Sequence, residues 1–241
     1  MKEIKITTSE RDKTREKEEE KRSYKEHLSA LMAPALAFAI EHGDLDTIET
    51  LLETKLIDLH TPDEDGNQPL HTAATQCDIG VVHLLIEKGA SLDVMNDFGR
   101  TPLHAACIYG NAEAAKLFIE AGLDVNLKDR TTRSPLCWAC RSGHADIVRL
   151  LLEHGADVNT VDEDDWTPLH FACFQDRPEL VRVLFEAGAC GSANVKNNLG
   201  KTPLDHVIGS QAERREEIID LFREYASEMV MEAYCTTEMK L

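Results

Sequence analysis

Apolar positions along the chain fall into two regimes. Residues 1–27 are almost wholly polar, and apolar side chains begin with Leu28, Leu31 and Met32. From there they arrive in short clusters separated by Gly, Asn, Asp and Pro. Thr101-Pro102 opens one cluster, Leu103, Ala105, Ala106 and Cys107, which Gly110-Asn111 interrupts. A second cluster, Ala114, Leu117 and Phe118, follows at i, i+3, i+4 and stops before Gly122. A hydroxyl residue followed by Pro suits an N-cap and a first helical position. Gly suits the left-handed stop after a helix. The pattern predicts a short helix, a turn, a second helix over 113–120, and an extended loop that leads to the next cluster.

That phrase recurs. Pro69, Pro102, Pro135, Pro168 and Pro203 are spaced by 33, 33, 33 and 35 residues. They sit in Gln-Pro-Leu-His, Thr-Pro-Leu-His, Ser-Pro-Leu-Cys, Thr-Pro-Leu-His and Thr-Pro-Leu-Asp. A second phrase trails each of the first four: Glu-Lys-Gly-Ala at 87–90, Glu-Ala-Gly-Leu at 120–123, Glu-His-Gly-Ala at 153–156 and Glu-Ala-Gly-Ala at 186–189. On these residues the chain resembles the ankyrin-repeat family over roughly residues 33–226. The resemblance implies an all-α solenoid of helix-turn-helix units with hairpin loops. No unit buries its apolar face alone, so the units must stack.

Six units are expected, at about 33–64, 65–97, 98–130, 131–163, 164–197 and 198–226, within a repeat domain spanning 28–232. The first lacks the Pro, as befits an N-terminal cap. The fifth carries two extra residues near Cys190-Gly191-Ser192-Ala193, expected to bulge as a loop. In the sixth, Tyr225 and Met229 continue the spacing from Leu221, so the last helix is expected to overrun to about 232, with a frayed tail over 233–241. Thr132 and Asp165 stand where Gly66, Gly99 and Gly200 stand in other hairpins. Thr tolerates a left-handed turn poorly, which predicts a distorted hairpin there.

Charge sharpens the division at residue 28. The leader holds nine Lys/Arg against eight Asp/Glu, which leaves seventeen against thirty-six in the other 214 residues. It reads as a frayed or single solvated helix starting near Ser9, with Asp12 reaching back to the cap. The whole chain is at −18, so nucleic acid and an anionic membrane surface are poor partners. No apolar run approaches a membrane span, and the first residues lack the apolar region of a signal peptide. Seven cysteines without an export signal suit a reducing compartment, cytoplasmic or nuclear.

Candidate chemistry is thin. His71, His104 and His170 lie a repeat or more apart, and the resemblance assigns this His to local hydrogen bonding rather than a metal. Cys137-Trp138-Ala139-Cys140 is a C-x-x-C, but Cys140 shares a column with Cys107 and Cys173, each five residues after the repeat's Pro. That column reads as small core residues, and no second cysteine pair completes a zinc site. The acidic runs 63–65 and 162–165 fall in hairpins, where Asp is a natural turn residue. No catalytic residue, metal or cofactor is expected. Leu151, Asp157, Val158 and Asn159 resemble the pattern that asparaginyl hydroxylases accept in ankyrin repeats, which makes Asn159 a candidate modification position.

The resemblance places binding on the concave surface, built from hairpin tips and the exposed face of each first helix. The columns there vary from unit to unit. In the third to fifth units they supply Phe98, Arg100, Ile108, Tyr109, Arg133, Arg141, Trp166 and Phe174. Aromatic and Arg side chains are those enriched at interface hot spots. Trp138 and Phe171, one column inward, are expected in the core. The function implied is non-catalytic binding of a protein, as an adaptor or regulatory subunit, by a monomer or a member of a hetero-complex. An assembly chaperone or inhibitor is the alternative, and a thiol-redox enzyme using Cys137 and Cys140 a weaker one.

Overall fold

A computed structural model describes residues 8–55, 57–76, 78–208 and 214–226. Among them are α-helices, one 3-10 turn and no strand. The first is α1, Thr8–Glu41, followed by α2, Leu45–Glu53. Each later unit contributes a pair: α3 (Pro69–Thr75) and α4 (Ile79–Glu87), α5 (Pro102–Tyr109) and α6 (Ala112–Glu120), α7 (Pro135–Ser142) and α8 (Ala145–Glu153), α9 (Pro168–Phe174) and α10 (Pro178–Glu186), α11 (Pro203–Ile208) and α12 (Arg215–Tyr225). The Pro of the repeat is the first residue of all five short helices, α3, α5, α7, α9 and α11, where its missing amide costs nothing.

The short helices stack side by side as one layer, from α1 through α11, and the second helices form another. Side chains between the layers are the core: Leu70, Leu103, Leu136, Leu169 and Leu204 from the first, and Val82, Ala115, Val148 and Val181 from the second. Leu151 is fully buried, whereas its neighbour Leu150 is only half-buried. Gly110 and Gly143 close α5 and α7 in the left-handed conformation, with φ of 82° and 87°. At Gly110 a Cβ would lie 2.5 Å from the His144 ring of the next unit, so the ring would have to shift.

Every hairpin is built on one side chain, six residues before the Pro. Asp129 is representative: its Oδ1 accepts the amides of Thr131 and Arg133. Asp63, Asn96, Asp162 and Asn197 hold their hairpins in the same way. Successive hairpins join through Asp97 N to Asp65 O, Arg130 N to Phe98 O, Glu163 N to Thr131 O and Asn198 N to Asp164 O, at 2.9–3.3 Å.

Three expectations change on contact with the structure. The leader is not separate from the first unit: α1 runs through both, and through Pro34. Ser9 already lies inside it rather than capping it. The described side chains before Leu28 are exposed, and the first buried one is Ser29, whose hydroxyl accepts the Asp58 amide at 3.0 Å. The hairpin at Thr132 is not distorted. Thr132 and Asp165 adopt φ of 55° and 59° and keep the hairpin bonds of the Gly-containing units, because the Asp129 and Asp162 carboxylates fix the loop on either side. The two extra residues of the fifth unit form a 3-10 turn, Ala189–Ser192, with Ala189, Ser192 and Ala193 buried. Finally, α12 ends at Tyr225 with Ala226 outside helical geometry; the expected overrun to 232 and the tail fall outside the described residues.

Candidate functional site

The hairpins and the first-helix layer carry the eight candidate binding side chains, and the structure divides them. Phe98, Tyr109 and Phe174 are exposed at 48%, 62% and 62%. Arg141 is exposed as well, with its guanidinium carbon 5.2 Å from the Trp138 ring centroid. Ile108 is half-buried against the core. Trp166 packs among Phe171, Phe174, His170 and His206, with ring centroids 4.8–5.8 Å apart.

Arg100 and Arg133 serve the framework. Each reaches across to the carboxylate of the following hairpin: Arg100 Nε to Asp129 Oδ2 at 3.4 Å, Arg133 Nε to Asp162 Oδ2 at 2.8 Å. Their side chains are 26% and 15% exposed. Trp138 lies between them. Its Nε1 donates to Asp129 Oδ2 at 2.9 Å, and the two guanidinium carbons stand 4.3 and 5.3 Å from its ring centroid. Arg100 also covers Phe98, and Arg133 covers Phe171. The result is one continuous row of stacked groups, from Phe98 through Trp138 and Phe171 to Trp166 and Phe174. Burial pushes the Asp129 carboxyl up, but hydrogen bonds from Thr131, Trp138 and Arg133 outweigh it and leave it below the usual carboxylate range. Trp138 and Phe171 are buried, as their column predicts.

The repeated histidines are clamps between units. In His104 and His170, Nδ1 accepts the backbone amide of Thr101 or Thr167, and Nε2 donates to the carbonyl of Arg133 or Lys201 in the next hairpin. His71 does the same between Gln68 and Arg100. This pattern needs the neutral imidazole. Burial lowers the pKa of all three, to about 4 for His104 and His170. At Cys137 the clamp is missing, and the Ser134 hydroxyl donates to the Cys137 sulfur instead. At Asp205 the carboxylate accepts the Thr202 amide, and the adjacent His206 pairs with Asn197.

Cys107, Cys137, Cys140 and Cys173 are buried. Burial raises the Cys137 thiol to about 11, and raises the other three further. Burial therefore favours the protonated thiols, whereas a redox role for Cys137 and Cys140 depends on the thiolate. Asn159 is exposed after α8, and its side-chain oxygen accepts the Ser192 hydroxyl from the 3-10 turn. Among the described residues no helix is long and apolar enough to cross a membrane.

Sequence reasoning missed the hairpin column of Asp63, Asn96, Asp129, Asp162 and Asn197. The signal was present, since an acid or its amide recurs six residues before each of the five repeat prolines. It also passed over Glu41, which the fold brings beside Asp65 and Tyr109.

Two layers of helices, linked by hairpins at a near-constant period, define a helical-repeat solenoid. Family models described as ankyrin repeats match residues 36–86, 78–162 and 153–207, and the chain belongs to the ankyrin-repeat family. Ankyrin repeats are protein-protein interaction modules. Two curated relatives share part of the array. Alpha-latrocrustotoxin-Lt1a of Latrodectus tredecimguttatus is 38% identical over 64 residues, which is 27% of this chain and 4% of the toxin. Palmitoyltransferase akr1 of Schizosaccharomyces pombe is 34% identical over 61 residues, 25% of this chain and 10% of that protein. The chain therefore aligns with a tenth or less of either relative.

Proposed function

We propose that this chain is a non-catalytic adaptor or regulatory subunit that binds a protein partner on the surface formed by its hairpins and first helices, in the cytoplasm or nucleus. The observation that supports this reading is the exposure of Tyr109, Phe174 and Phe98 beside Arg141 on one surface. Large aromatic side chains left in water cost apolar burial, and a grouped set of them marks an interaction surface. Arg100 and Arg133 hold the row from beneath, so the exposed groups are presented by a fixed frame and lose little freedom on binding. Reduced cysteines buried in the core suit a reducing compartment.

The test is affinity capture with the full chain against a Tyr109→Ala, Arg141→Ala, Phe174→Ala variant. All three residues are exposed, so the melting temperature should be unchanged. Partners retained by the wild type should bind the variant at least tenfold more weakly, since hot-spot truncations cost about 2 kcal/mol each. Undiminished capture by the folded variant would place the binding surface elsewhere. Asn159 is a proposed modification position on the same array; a peptide mass spectrum from cells with an asparaginyl hydroxylase should show partial addition of one oxygen there.

A further inference from the structure

The first three units share a groove of two joined compartments, on the side of the molecule that carries Phe98 and Tyr109. The larger, about 570 Å³, lies between the end of α1 and the loop that leads to α3. Its walls are mainly apolar and include Pro34, Ala37, Ile40 and Ile57, with Glu64 among its lining residues. The smaller, about 280 Å³, brings together Glu41, Asp65, Phe98 and Tyr109. Asp63, Asn67 and Thr72 line both compartments, so the two share a wall.

Charge in this groove is one-sided. The Asp63 carboxylate is occupied by the amides of Asp65 and Asn67 and by the Asn67 side chain. Glu41, Glu64 and Asp65 form no ion pair with a Lys, Arg or His among the described residues. Arg100, the cation of the smaller compartment, is given to Asp129 and covered by Trp138. Acids of one sign in a concave, partly apolar site focus their field on whatever enters it. An aromatic face adds to the attraction for a cation, while the apolar slot gains from burying a hydrocarbon side chain.

We propose that this groove is the docking site for an extended, basic segment of a protein partner. In that segment an apolar side chain fills the larger compartment, and an adjacent Lys or Arg enters the smaller one to meet Glu41, Asp65 and Tyr109. The proposal rests on the protein-binding reading above and gives that partner its chemistry.

The test pans a random dodecapeptide library, displayed on phage, against the full-length chain. Enriched peptides are then measured on the wild type, on a Glu41→Gln, Asp65→Asn variant and on the Tyr109→Ala, Arg141→Ala, Phe174→Ala variant. The expected motif pairs Lys or Arg with a neighbouring aliphatic residue. Its affinity should fall at least tenfold in the Glu41→Gln, Asp65→Asn variant, a loss confined to two of the forty-four acids in the chain. Enrichment of acidic or uncharged peptides, no enrichment, or a basic preference indifferent to Glu41→Gln, Asp65→Asn would each overturn the proposal. Peptides without basic residues that still fail on the Tyr109 variant would sink this inference and leave the binding reading intact. Peptides indifferent to both variants would end both.

Discussion

Arg133 donates to Asp162 at 2.8 Å from one hairpin to the next, with the Asp162 side chain fully buried. The same carboxylate accepts the amides of Asp164 and Trp166 through its other oxygen. One side chain therefore shapes its own hairpin and fastens the preceding hairpin to it. Asp162→Ala should destabilise by about 3–5 kcal/mol, the cost of leaving a buried partner unpaired. Asp162→Asn keeps the amide acceptor and should cost less. Denaturant unfolding checks both, and a loss below about 1 kcal/mol for Asp162→Ala would show that the pair is incidental.

The histidine clamps make stability depend on pH. His104 and His170 titrate near 4 in the fold and near 6.5 when unfolded. The unfolded chain therefore binds more protons between those values, and stability falls as pH drops through that window. Each histidine contributes at most about 1.4 kcal/mol per pH unit. Asp129, whose pKa is depressed below 3.8, loses its contribution only at lower pH. A His104→Gln, His170→Gln variant should be less stable at pH 7 and show a flatter melting profile from pH 7 to 4.5. An equally steep profile would assign the acid sensitivity to other groups.

Thr132 occupies a left-handed turn at φ 55°. A β-branched residue there carries strain of about 1–3 kcal/mol, offset in part by the greater entropy of an unfolded Gly. Thr132→Gly should raise stability by about 0.5–1.5 kcal/mol. Gly66→Ala should do the reverse and by more, since a Cβ at Gly66 lies 2.6 Å from the Asp97 amide nitrogen. Thermal melts of the two variants in opposite directions are the expected outcome; a destabilised Thr132→Gly would mean that the Thr side chain contributes contacts that outweigh its strain.

Leu151 and the cysteines probe the core. Leu151→Ala should cost about 2–5 kcal/mol, and Leu150→Ala less, since Leu150 is half-buried. Cys107, Cys137, Cys140 and Cys173 should react with a thiol reagent only at the rate of unfolding. Fast labelling of Cys137 or Cys140 in the native protein would restore the redox reading.

Much of this was legible in the sequence because repeats state their geometry several times over. The prolines marked the first helices, and the Thr-Pro-Leu-His phrase marked both cap and clamp. Exposure of individual side chains was not legible. Arg100 and Arg133 occupy variable positions like those of Tyr109 and Arg141, and only the ring of Trp138 and the carboxylates of Asp129 and Asp162, each distant in the sequence, turn them inward. Thr132 misled for a related reason. Its propensity opposes the turn, but Asp129 holds the loop through two amides, and tertiary context overrides a local preference. The continuity of α1 was hidden because residues 8–27 have no apolar stripe, while the helix they form extends one that is packed at its other end.

Hydrogen exchange on the chain bound to its partner tests the central claim most directly, because it maps the contact without mutation. Protection should appear at the hairpins around Phe98–Arg100, Thr131–Arg133 and Asp164–Trp166, and at the ends of α5 and α9 near Tyr109 and Phe174. The exposed positions of the second helices, Glu113, Lys116 and Glu120 among them, should exchange as in the free protein. Protection confined to those second helices, with the hairpins unchanged, would contradict the account.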